Sequence, residues 1–289
     1  MPDLQTEQVG ANIILIADGT EVGGQTGATL NLTAGVTDIN TKEVGLWRNT
    51  LEGLQSSSID LDQLYTESDG SHEVGANGEG QIELTYDAST EIIKGLDSLD
   101  GSLSLTPDAV GALENDLWER NIATGLEGEF STSGAYFDPQ ATNGAAYDLL
   151  LSAQEARATV DAVVTFGDLI LSCALRPGDW SLDAPGDQSR ASIDFTLLSE
   201  GEITNDTVAG ALDTGLEAFL TAFFAPQTVL AGVEIQDGYG NARLAGSTYW
   251  EVDCWVSSID FSASFGDPLS LSTELLGDGA LTRDVEPTV

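Results

Sequence analysis

Apolar and polar residues alternate along much of the chain. Ala28, Leu30 and Leu32 take turns with Thr29, Asn31 and Thr33, the period of two that gives a strand one apolar and one wet face. "SSSIDLDQLY" repeats the pattern at Ile59 and Leu61. "ANIILIADGTEVGGQTGATLNLTAG" predicts two strands around an Asp18-Gly19 turn and a Gly23-Gly24 pair. Further strands are expected at "QIELTY", "SLSLT", "AVVTF", "LILSCAL", "SLDAP", "ASIDFTLLSEG", "TVLAGVEIQ", "STYWEVDCWVSSIDFSASF" and "LSLSTELLGDGAL". Two segments carry helical spacing instead. One holds Leu149, Leu150, Ala153 and Ala156, and the other, "ALDTGLEAFLTAFF", is stopped by Pro226. The expectation is a mainly β fold with two helices.

Several stretches break the rhythm. "VTDINTKEVGLWRNTLEGL" shows no clean period and reads as a long irregular arm of the sort that carries function or meets partners. "STEIIKGLDSLDG" is ambiguous between helix and turn, and "GYGNARLAG" reads as a hairpin turn. Thr66–Gly80 and Glu202–Gly210 are polar, turn-rich linkers.

The chain also repeats itself. "LWRNTLEGLQSSSIDLDQLY" (46–65) and "LWERNIATGLEGEFSTSGAY" (117–136) share Leu-Trp, Arg, Asn, Gly-Leu and a closing tyrosine, and the Trp47–Trp118 and Tyr65–Tyr136 offsets are both 71. Later, a helix followed by strands, Cys173, Gly186-Asp187 and Leu197-Leu198 match a helix followed by strands, Cys254, Gly266-Asp267 and Leu275-Leu276 at offsets of 81, 80 and 78. The order is front, front, back, back. It fits one unit, residues 1–75 with 206–289, that holds a second copy, residues 76–205, in a loop. A swapped pairing of the halves fits the same order.

Composition narrows the function. Among 289 residues stand 48 acids and 9 bases, for a formal net charge of -39. A folded protein so charged repels itself in dilute buffer, whereas at molar salt the Debye length falls to about 3 Å. The expectation is a protein of a high-salt cytoplasm; a specialised acidic surface is the rival reading. Too few bases exist for a nucleic-acid-binding patch. No segment approaches the roughly 20 apolar residues of a membrane span, and the N-terminus does not read as a signal peptide.

Candidate chemistry is sparse. The single histidine, His72, falls in the acidic linker without a nucleophile motif around it, and no Walker, H-E-x-x-H or G-x-S-x-G pattern occurs. Asp60 and Asp62 share a strand face that could hold a cation, but a hydrated acidic edge is the plainer reading. Cys173 and Cys254 form no metal pattern and read as small buried hydrophobes, with a disulfide between them left open. The expectation is a non-enzyme with no cofactor and no bound metal. Trp47 and Trp118 occupy matching loop positions, as loop anchors or as contacts to a neighbouring subunit. Trp250 and Trp255 fall on opposite faces of one strand, which suggests that one meets a surface.

The residues 27–65 stretch, "GATLNLTAGVTDINTKEVGLWRNTLEGLQSSSIDLDQLY", resembles the front of the major tail tube proteins of long, non-contractile tailed phages. In that family a Thr/Leu strand precedes an aspartate-rich loop with Lys, Gly and Trp, a Gly-Leu turn and a Ser-Ile strand. "GNARLAGSTYWEVDCWVSSIDFSASFGDPLSLSTELLGDGALT" resembles the family's closing strands. The inserted centre and the acidity depart from it; the acidity points to a virus of an extreme halophile, an archaeal one.

The resemblance implies a β-sandwich or barrel with a flanking helix in each unit. It implies a virion structural protein, assembled in the host cytoplasm, whose rings stack into a tail tube for the genome. The arm 37–53 would bridge neighbours through Lys42, Trp47 and Arg48, and its copy 106–125 through Trp118 and Arg120. Trp250 and Trp255 join them as assembly candidates. Six units per family ring would become three chains here, a homotrimer with pseudo-sixfold symmetry. Partners would be further copies and other tail proteins (tape measure, terminator, distal tail protein). Viral DNA would pass the lumen without specific binding, and no membrane is involved. A halophile surface-layer or adhesin-type β-protein is the alternative.

Overall fold

The computed structural model describes residues 11–39, 49–64, 80–93, 96–110, 120–136, 144–183, 192–237, 248–264 and 267–285. The fold is mainly β with two helices. Strand β1 (Ala11–Ala17) turns at Asp18-Gly19 into β2 (Thr20–Glu21), and β3 (Gln25–Ile39) and β4 (Asn49–Leu64) follow. Then come β5 (Gly80–Tyr86), β6 (Ser89–Ile93), β7 (Ser98–Val110), β8 (Arg120–Tyr136), α1 (Gly144–Ala156), β9 (Val160–Phe166), β10 (Leu169–Asp183) and β11 (Ser192–Asn205). The chain ends with α2 (Thr214–Phe224), β12 (Val229–Asp237), β13 (Thr248–Ser264), β14 (Ser270–Gly277) and β15 (Thr282–Val285).

All the described strands belong to one antiparallel sheet, and its order repeats. One run reads β2-β1-β12-β13-β14-β4-β3, and the other reads β6-β5-β9-β10-β11-β8-β7. Position for position, the runs use the same elements in the same sequence order, and each takes its helix immediately before its third strand. The runs join where the far half of β13 pairs with β7, from Ser258 opposite Ser104 to Ser264 opposite Ser98.

The register repeats as finely as the order does. In β3·β4 the pairing shifts between Ala34 and Val36; in β7·β8 it shifts between Thr106 and Pro107, 71 residues on. β13 bulges between Val256 and Ser258 against β14, and β10 between Pro177 and Trp180 against β11. A bulge holds one unpaired residue and bends its strand, so both runs bend at the same place.

The alternation read in the sequence explains the core. Along β9 the burial alternates from Val160 to Phe166, and β14 buries Leu271, Thr273 and Leu275. The helices cover this apolar face: α1 lies on β10, β6 and β5, and α2 on β13, β1 and β12. Tyr147, Leu150 and Ala153 of α1 are fully buried, as is Phe219 of α2. Phe166 of one run stacks on Phe261 of the other at 5.2 Å, so apolar packing crosses the joint.

Three expectations need correction. The irregular reading of 36–54 fails at both ends, because β3 runs to Ile39 and β4 begins at Asn49; Val36, Thr37 and Ile39 are β-branched and suit a strand. "STEII" is neither helix nor turn but β6, which returns along β5 through Asp87 and Ala88, both at positive φ. Glu202–Asn205 is strand rather than linker, since it continues β11 against Leu171–Cys173.

Candidate functional site: an acidic sheet face and two open edges

The sheet face turned away from the helices is built of serines and carboxylates. Pairing aligns them in rows. One row runs Asp62, Ser272, Asp260, Ser102 and Glu129 across β4, β14, β13, β7 and β8. The next runs Asp60, Glu274, Ser258, Ser104 and Glu127 across the same strands. The first row lines a groove of about 580 Å³ at the joint, which holds Asp62, Glu129 and Asp260 together with Asp100.

Short local bonds fix this surface. The Ser262 hydroxyl donates to Asp100 at 2.5 Å, the Ser272 hydroxyl to Asp62 at 3.2 Å and the Asn31 amide to Asp60 at 2.9 Å. Small hydroxyls between spaced carboxylates leave room for water at each charge. Among the described residues no group of three or more His, Cys, Asp or Glu side chains could hold a metal ion. What such a face offers a polyanion is repulsion.

The joint and the free ends of the sheet form the second feature. β7 is paired on both sides, by β8 and by β13. Its positional counterpart β3 is paired by β4 alone among the described residues. Likewise the far half of β13 is paired on both sides, whereas β10 leaves β9 at Leu175 and beyond it is paired by β11 alone among the described residues. Across the closed joint the β8 arm also grips the run beside it: Asn121 N donates to Asp278 Oδ1 at 2.9 Å, and its amide to the Gly277 carbonyl at 3.1 Å.

Lys42, Trp47, Arg48, Trp118 and His72 lie outside the described residues. Arg120 opens β8, its backbone opposite Val110. Trp250 and Trp255 occupy opposite faces of β13, and both are half-buried; the Trp255 indole nitrogen is enclosed without a hydrogen-bond partner. Asp60 and Asp62 share the wet face of β4, in the rows above. Cys173 and Cys254 are free, buried thiols, and burial pushes the first up to about 12 and the second higher still. Sequence reading missed Leu32, Trp180 and Leu182, which stand exposed on the two open edges. It also missed the serine-carboxylate rows, although their period was legible in "SSSIDLDQLY" and "SSIDFSASF".

Residues 9–77 match the family model described as phage tail tube protein. No curated protein matches the chain. Among solved structures, the chain is similar to a protein in the virion of a native gene transfer agent particle, at 18% identity and a TM-score of 0.37, over 46% of this chain and 100% of that one. It is similar also to one in the tail of an empty gene transfer agent particle, refined with C6 symmetry, at 17% identity and a TM-score of 0.38, over the same shares. Likenesses this loose do not establish a common function.

Proposed function

We propose that this chain is the structural subunit of a viral tail tube, a virion component whose copies close into rings and stack around a channel for the genome. The match of residues 9–77 to the tail tube family carries the reading. The serine-carboxylate face supports it, because a wall of hydrated negative charge lets DNA slide without sticking. Residues 1–75 with 206–289 form one tube unit and residues 76–205 a second, a division supported by the repeated strand order. Two units per chain make the ring a trimer with pseudo-sixfold symmetry. Other tail proteins would cap and fill the tube, and assembly would take place in the host cytoplasm. Negative-stain microscopy of concentrated protein in molar salt tests it: stacked rings or tubes are expected, and particles that stay isolated would overturn it.

The charge of -39 supports a halophilic host. Dialysis from molar salt into dilute buffer is expected to unfold the chain as screening is lost. An unchanged circular dichroism spectrum would refute that host assignment. Trp47 and Trp118 would serve assembly, so changing both to Ala should leave a folded chain that no longer forms tubes.

A further inference from the structure

The closed joint inside the chain is a template for an open one. Pairing with β9 and β12 sets the scale: Leu175 opposite Val160 and Cys254 opposite Val229 are the last pairs of matching ladders. Past the shared bulge, Trp180 faces Phe195 and Ser181 faces Asp194, as Ile259 faces Thr273 and Asp260 faces Ser272. Trp180 and Leu182 therefore hold the places of Ile259 and Phe261. On the other side, Leu30, Asn31 and Leu32 of β3 hold the places of Gly101, Ser102 and Leu103 of β7, at the offset of 71 that both hairpins keep.

Within the chain the joint buries its members: Ile259 and Leu103 are 0% exposed and Phe261 2%. Their counterparts are bare. Leu32 is 57% exposed, Leu182 52% and Trp180 44%. Large hydrophobes on the apolar face of a strand with a free edge invite another strand. Leu198, 43% exposed, stands where Leu276 adjoins the turn that the β8 arm holds. One added strand would cover the first three, and its arm would reach the fourth.

We infer that the far half of β10 pairs antiparallel with β3 of a second copy of this chain, with Trp180 opposite Leu32, Ser181 opposite Asn31 and Leu182 opposite Leu30. The occupant is a second copy because the chain already makes this contact with itself once, at β13·β7, and the two ends left open are complementary halves of it. The contact is head-to-tail, so it propagates around a ring rather than stopping at a pair. It carries the polar sheet face across the boundary, with Ser181 and Asn31 taking the places that Asp260 and Ser102 hold in the closed joint. The inference rests on the two-unit reading above and supplies its register.

The test uses full-length protein in molar salt. Leu32→Asp closes one edge and Trp180→Asp the other; each variant alone should be monomeric by light scattering. Mixed, they should form dimers and nothing larger, since one intact edge of each kind remains. A mixture that stays monomeric, or either variant assembling as wild type does, overturns the pairing. Because Trp180 also stacks on Phe195 at 6.2 Å, a second measurement avoids it. Ser181→Cys with Asn31→Cys should cross-link between chains through a short bismaleimide. Ser181→Cys with Gly27→Cys, about 13 Å further along the strand, should not. Tubes without the first cross-link sink the register and leave the tube standing. The cross-link in closed rings that never stack keeps the register and sinks the tube.

Discussion

The two strand runs have one order and two ways of seating a helix. α2 begins at Asp213, whose carboxylate accepts from the N–H groups of Gly215 and Leu216 and also from Gly23 N at 2.9 Å. A single side chain thus caps the helix and fastens the β2–β3 turn beneath it. A Cβ on Gly215 would stand 2.7 Å from the Val22 Cα, so the helix start and the turn touch backbone to backbone. α1 is tied farther along, where the Gln154 amide donates to the Gly178 carbonyl at 2.7 Å, at the bulge of β10. The bulge position is the doorway to the open edge. The first run is thus locked at its outer hairpin, and the second is braced where a neighbouring copy would dock.

The same contrast predicts how the sheet breaks. Phe261→Ala empties the closed joint and removes the stack on Phe166, at a cost of about 3–5 kcal/mol. Leu182→Ala, its counterpart, should stay within about 0.5 kcal/mol in the isolated chain and tell only on assembly. Denaturant midpoints of the two variants in molar salt measure the gap. Equal losses would mean that the open edge is already covered.

The helix seats come next in size. Asp213→Ala removes a cap and leaves Gly23 N without its acceptor, a loss of about 1–2 kcal/mol. Gln154→Ala gives up one hydrogen bond, about 1 kcal/mol. The order is the useful part, and amide exchange can map it: protection should fall in β1–β3 for the first variant and around the β10 bulge for the second.

How much of this could be read from the letters alone differs between the halves of the repeat. The Trp47/Trp118 offset of 71 survives intact in the pairing of both hairpins, because a two-stranded ladder fixes register residue by residue. The cysteines misled by two positions: Cys254 closes its ladder where Leu175, not Cys173, closes the other. Both thiols still face the core, since a slip of two keeps a side chain on its face. The β5–β6 hairpin was hidden because its turn is Asp87-Ala88, without the glycine that usually marks two positive φ angles. The exposed Leu32 and Trp180 look like any core residue in a strand pattern. Only the missing neighbour distinguishes them.

The smallest expected effect separates the two thiols. Cys173 of the second run is 8% exposed and Cys254 of the first 0%. Burial raises both thiols in the fold, Cys173 from an ordinary 9.0 to about 12. Below pH 9 the folded and unfolded chains both keep the Cys173 proton, and its contribution to stability is constant. Above pH 9 the unfolded chain releases the proton while the fold retains it, so stability falls as pH climbs from 9 towards 12. Cys173→Ala should flatten part of that alkaline slope, as read from denaturant midpoints across the range. At pH 8 a thiol reagent should modify neither group until the sheet opens locally, and Cys173 should react first, because among the described residues its run has no counterpart of the β7 strand that closes β13. If Cys254 reacts first, the closed joint opens before the free edge does, and the ranking of the two runs is reversed.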